Sequence, residues 1–156
     1  MAFTPVFSAA YAPDYAEWAV SALGAAVSWL EDEPGVRGRI AVTGFCFGGT
    51  YAFLLAAGDD RVRAAVPFYG AAPDAADIAR IHVPVLAFYG EEDSALVDAL
   101  PGVRDAMRQA GVDFETVVYS DAGHAFFNDN GPRYRAGDAA DAWRRTLEFL
   151  RTRVER

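Results

Sequence analysis

The chain has 156 residues, 53% of them apolar and 13% aromatic, which is enough for one packed domain and too apolar for a disordered tail. A net charge of −8 and a sequence pI of about 4.6 disfavour a nucleic-acid partner, which needs clustered positive potential. All fourteen basic residues are arginine, scattered along the chain, and they read as compositional bias rather than a binding patch.

The first thirteen residues lack a basic segment and a small-residue cleavage site, so no secretory leader is expected. Beyond them, Asp14 stands as a helix cap with Glu17 three residues later, the spacing of a capping box. Tyr15, Trp18, Ala19, Ala22, Ala26, Trp29 and Leu30 then recur at helical spacing. Glu33-Pro34-Gly35 ends that helix.

Residues 40–43 read as the first strand and 49–57 as a helix stopped by Gly58. Between them lies Gly44-Phe45-Cys46-Phe47-Gly48-Gly49, the form of a nucleophile elbow. Flanking glycines let neighbouring backbone come close while the central residue projects above the sheet. The helix that follows points unpaired amides at the sulfur, which favours negative charge there and places the Phe47 N–H to receive an oxyanion.

Other readings of this run fit less well. A lone cysteine is usually a small buried hydrophobe, but seldom one framed by such a turn. A dinucleotide loop would need glycine at position 46, and a phosphate-binding P-loop would need a following lysine. Residues 40–58 carry no charge and approach membrane-spanning length, yet three glycines suit strand, turn and helix better than a lipid-facing helix.

Further on, 64–69 is expected as a strand with an irregular end at Pro67, and 73–80 as a short helix. Then come a strand over 83–89, a helix over 95–110 interrupted at Pro101, and a strand over 114–120. A long helix over 137–153 closes the chain, with Ala140, Trp143, Leu147 and Leu150 on one face. Strands alternating with helices imply a mostly parallel sheet of about four strands with helices on both faces, in a single domain spanning 1–156. Ligands of such sheets bind beyond the carboxyl ends of the strands.

Three of those ends carry chemistry: Cys46 after the first strand, Gly90-Glu91-Glu92-Asp93 after the third, and His124 after the fourth. Nucleophile, acid and histidine in that order match the α/β-hydrolases. His124 can take the thiol proton, and a carboxylate can fix its tautomer and steady its positive form. Spacing alone leaves Glu91, Glu92 and Asp93 as candidates. His82 precedes a strand, at the opposite edge, and reads as structural. The ligand clusters of metal sites and the CxxC of redox pairs are absent from the sequence, and no cofactor is expected. Phe45, Phe47, Phe68, Tyr69, Tyr89, Phe126 and Phe127 crowd the same edge, mostly as core.

GFCFGG around Cys46, Phe68-Tyr69-Gly70, Gly90-Glu91-Glu92-Asp93, Gly123-His124-Ala125-Phe126 and the Trp-bearing last helix together resemble the dienelactone hydrolase (carboxymethylenebutenolidase) family. The resemblance implies the C-terminal portion of an α/β-hydrolase fold, with Cys46 as nucleophile, Asp93 as triad acid and His124 as base. It implies hydrolysis of small esters or lactones without a cofactor, with Phe45, Tyr69, Phe126 and Asn128 near the substrate. Asn128 stands where the family places an arginine. Strands that precede the first helix in that family have no counterpart here, so the domain reads as N-terminally truncated and the strand before Cys46 as an exposed edge. That edge suggests association with a second copy or a complementing N-terminal half. A noncatalytic half-domain and a flavodoxin-like fold with a cysteine elbow are the alternatives. With one cysteine no disulfide can form within the chain, and a cytoplasmic, soluble protein without nucleic-acid or membrane partners is expected.

Overall fold

The computed structural model describes residues 13–36 and 38–154. Four strands, β1 (Ile40–Phe45), β2 (Val62–Phe68), β3 (Val85–Gly90) and β4 (Phe114–Tyr119), form one fully parallel sheet in the order β1-β2-β3-β4. The helices are α1 (Pro13–Glu31), α2 (Phe47–Gly58), α3 (Ala75–Ile78), α4 (Ser94–Val97), α5 (Leu100–Gln109) and α6 (Ala136–Val154). The uncharged run over 40–58 is thus a strand, a turn and a helix. Among the described residues no helix is long and apolar enough to cross a membrane.

Side chains of the inner strands alternate between two cores, as the two-residue period of a strand requires. Ala65, Val85, Ala87 and Tyr89 face Phe53 of α2, Ile78 of α3 and Met107 of α5. Ala64, Val66, Phe68, Leu86 and Phe88 face Ala142 and Phe149 of α6. Because the strands succeed one another in one direction, crossovers of one hand place α2, α3 and α5 on the same face. The second face is left to α6. Helix α1 packs against α2 through Val27 and Leu55, above Ile40 and Val62.

Several local expectations are corrected by packing. Within the described residues helix α1 already includes Pro13 and Asp14, so Asp14 lies in the helix rather than at its cap. The buried face of α1 is Ala19 and Val27, flanked by Leu23, whereas Trp18 and Trp29 are exposed. Likewise α6 buries Ala139, Ala142, Thr146 and Phe149, leaving Trp143 and Leu147 about half exposed. Small residues at 139 and 142 let the helix lie close to the sheet, and the bulkier stripe one position on is turned aside. The helix expected over 95–110 is two helices, with the break at 98–99 and Pro101 in the first turn of α5. Pro67 remains within β2, and the ladder to β3 joins Ala65 to Val85 and Phe68 to Phe88 on either side of it.

One polar cluster ties α6 to β4. The Tyr119 hydroxyl donates to Asp141 Oδ2 at 2.9 Å, and Arg144 and Arg145 each donate to the same carboxylate at 2.6 Å. Arg145 first, then Arg144, hold Asp141 down to about 2, below its ordinary value of 3.8. A carboxyl depressed in the folded state stabilises the fold above the unfolded value, and that contribution is lost as pH falls from about 4 toward 2. Asp141→Asn is therefore expected to flatten this part of the stability profile, read as urea midpoints against pH, while costing about 1 kcal/mol or less at neutral pH because the arginines are half exposed.

Candidate active site

All four strands run the same way, so the loops leaving β1, β3 and β4 emerge at one edge of the sheet. Cys46 follows β1 directly, with φ 55° and ψ −120°, a conformation that costs a non-glycine residue about 1–3 kcal/mol. Hydrogen bonds hold it there. Its N–H donates to Phe68 O at 3.0 Å, and its carbonyl accepts from Gly49 at 2.9 Å as the first bond of α2. The sulfur is exposed at the N-terminus of α2, where the helix field favours an anion.

Of the flanking glycines, Gly44 and Gly49 are enforced by space and Gly48 is not. A Cβ on Gly44 would run into the Gly48 carbonyl, whereas a Cβ on Gly48 would meet nothing within 4 Å. Gly44→Ala is expected to destabilise the fold by about 3 kcal/mol or more, with Gly48→Ala much milder; thermal melts of the two variants compare them directly.

The acid loop and the histidine loop are bound to each other. Glu92 N–H donates to Ala122 O and Glu91 N–H to Tyr119 O, both at 2.9 Å, and Gly90 is needed because a Cβ there would strike the Ala122 carbonyl. Asp93 precedes α4 at the N-cap position, yet its side chain caps nothing. Its Oδ2 instead accepts from His124 Nδ1 at 2.5 Å. Glu91 and Glu92 are exposed, and Glu91 lies against the Asp121 amide, so of the three acids this structure brings Asp93 to the histidine. On the other side of the ring, His124 Nε2 lies 3.0 Å from Cys46 Sγ. The histidine loop is tightly wound, with positive φ at Asp121 and Ala125.

With Nδ1–H donating to a carboxylate, Nε2 is left to exchange a proton with sulfur. Asp93 is largely shielded from solvent and His124 about one-third exposed, an arrangement that keeps the acid in place and lets the ring reach a substrate. Tyr69, buried at the end of β2, packs its ring 5.0 Å from the His124 ring. Burial, and then the charge at Cys46, push its hydroxyl up to about 12, so it stays protonated at neutral pH.

An open cleft of about 820 Å³ extends from Cys46. Of the residues the resemblance placed near the substrate, Phe45, Tyr69 and Asn128 line it and Phe126 does not. That ring is fully buried between Tyr69 and Tyr119, on the α6 side of the sheet. Its neighbour Phe127 turns into the cleft instead, facing Trp143. Trp143 was not among the residues the sequence placed near the site; the spacing of small residues Ala139 and Ala142, which take the buried face, is the signal that could have found it. Phe47 opens α2, and its ring packs on Tyr51 at 4.6 Å, away from the cleft. His82 is exposed ahead of β3, at the opposite edge from Cys46.

The family model for the dienelactone hydrolase family matches residues 6–154. An Escherichia coli protein provisionally named carboxymethylenebutenolidase is 36% identical over 135 residues, covering 80% of this chain and 50% of the relative. A Bradyrhizobium protein provisionally named 2-oxo-3-(5-oxofuran-2-ylidene)propanoate lactonase is 35% identical, over 81% of this chain and 56% of its own. The crystal structure of a protein from Klebsiella pneumoniae, provisionally named dienelactone hydrolase, superposes with a TM-score of 0.78 at 32% identity, over 84% of this chain and 59% of that one. This chain spans about half the length of the curated relatives it matches.

Proposed function

Because the chain belongs to the dienelactone hydrolase family, we propose that it hydrolyses small esters or lactones through a thioester formed on Cys46. The observation that carries this reading is one imidazole bridging two partners: His124 reaches Asp93 Oδ2 at 2.5 Å and Cys46 Sγ at 3.0 Å. Such a chain moves a proton off the nucleophile and returns it to the leaving group.

In the first half-reaction the Cys46 proton passes to His124 Nε2, and the thiolate attacks the substrate carbonyl carbon. The carbonyl π electrons move to oxygen, and the oxyanion is received by the Phe47 N–H at the start of α2. The tetrahedral adduct collapses with loss of alkoxide or enolate, which takes the proton from Nε2. In a lactone that leaving oxygen stays tethered to the acyl group. Water then enters, His124 removes its proton, and the hydroxide attacks the thioester carbonyl to release the acid and the thiolate. Asp93 remains ionised throughout and steadies the imidazolium.

Stoichiometric iodoacetamide tests the reading. It is expected to alkylate Cys46 and to abolish turnover of an activated aryl ester in parallel; full activity in fully alkylated protein would sink the proposal.

A second reading is a half-domain that acts by association. Among the described residues β1 is paired on one side only, beside the exposed Trp143 and Leu147. Light scattering at micromolar concentration separates the cases. A stable monomer contradicts association, and a dimer without hydrolysis favours it over catalysis.

A further inference from the structure

Building on the hydrolase reading above, we propose that the cleft beside Cys46 accepts neutral, apolar acyl groups and rejects acyl groups that carry a carboxylate. The juxtaposition behind this is an aromatic wall that continues from the sulfur to a rim whose formal charge is negative. Phe45 stacks on Phe68 at 4.7 Å and meets Phe127 at 5.2 Å, and Phe127 reaches Trp143 at 6.3 Å. Rings braced in this way form a preset apolar surface, which binds flat or alkyl groups without ordering loose side chains.

At the rim stand Asn128 and Asp129. Asp129 is the one formally charged residue among the described residues that line the cleft, and no arginine is among those. The two arginines of the adjoining loop, Arg133 and Arg135, are not among the described residues that line the cleft. Arg133 leans on the His124 carbonyl at 3.5 Å, and Arg135 donates to Asp138 at 3.1 Å. A substrate carboxylate laid against these rings would give up water without gaining a cation, and it would face Asp129 besides. A neutral acyl group meets neither penalty. The nucleophile gains as well, because a carboxylate close to a thiolate and its oxyanion adds repulsion in the transition state.

Para-nitrophenyl hydrocinnamate and its para-carboxylate derivative share a leaving group and an acyl chain, and they differ in one charge. For the intact chain, kcat/KM is expected to favour the neutral ester by about tenfold or more. Asp129→Asn narrows that ratio by raising the rate on the anionic ester, and Asn128→Lys narrows it further. Both residues are exposed on a loop, so the fold survives either change. Equal or reversed preference in the wild type would overturn the inference, as would a ratio that neither variant moves. Failure to hydrolyse either ester faster than Cys46→Ala would instead remove the hydrolase reading on which it rests.

Discussion

Replacing Cys46 with alanine is expected to lower kcat for an activated ester by about 10⁶-fold, the scale seen when the nucleophile of such a unit is deleted. The effect is large because the remaining groups have little to act on. His124 loses the atom to which it delivers and from which it takes a proton, and a water in its place begins at bulk concentration without the orientation that the elbow gives sulfur. Helix α2 continues to favour negative charge at its N-terminus, so some oxyanion stabilisation and substrate binding survive and leave a measurable residue over water. Stability is expected to rise slightly or stay level. The side chain is exposed, so alanine gives up only a solvent-accessible contact with His124 Nε2, and the positive φ is as strained with one side chain as with the other. Equal melting temperatures with a collapsed rate would separate a chemical role from a structural one.

Asp93→Asn is the second large expected loss, about 10⁴-fold in kcat with KM nearly unchanged. An amide of the same shape keeps the loop but can present its NH₂ to His124 Nδ1. The ring then holds its proton on Nε2 and cannot accept one from sulfur. Glu91→Gln and Glu92→Gln serve as internal controls. Both side chains are exposed, and neither reaches the ring, so each is expected to stay within about twofold of wild type. A parallel loss in all three variants would mean that general negative potential, rather than one oriented carboxylate, supports the histidine.

The parallel sheet was legible because β2 and β3 are buried on both faces and therefore read as near-continuous apolar runs broken by turn residues. The elbow was legible for a different reason. Gly44 and Gly49 sit where backbone approaches backbone, and only glycine fits such contacts. Order along the chain singled out Cys46 and His124 but left three acids open; the family resemblance pointed to Asp93, and the loop geometry brings that acid to the ring. What sequence did not reveal were the buried sides of α1 and α6. Periodicity reports an apolar stripe but gives large residues the most weight, whereas close packing on the sheet selected the small residues Ala139 and Ala142 and left Trp143 at the cleft. Phe126 and Phe127 were indistinguishable for a related reason: adjacent residues in a loop have no fixed period, so which ring enters the core depends on the positive φ of Ala125 before them.

The most direct test of covalent catalysis at Cys46 is to catch the acyl group on the protein. An aryl ester mixed with enzyme and quenched in acid during turnover, then digested and analysed by mass spectrometry, is expected to give a peptide heavier by one acyl group at Cys46. Hydroxylamine should remove that mass, as it does for a thioester. Sustained turnover with Cys46 unmodified at every quench time, and an acyl mass on another residue or on none, would contradict the account.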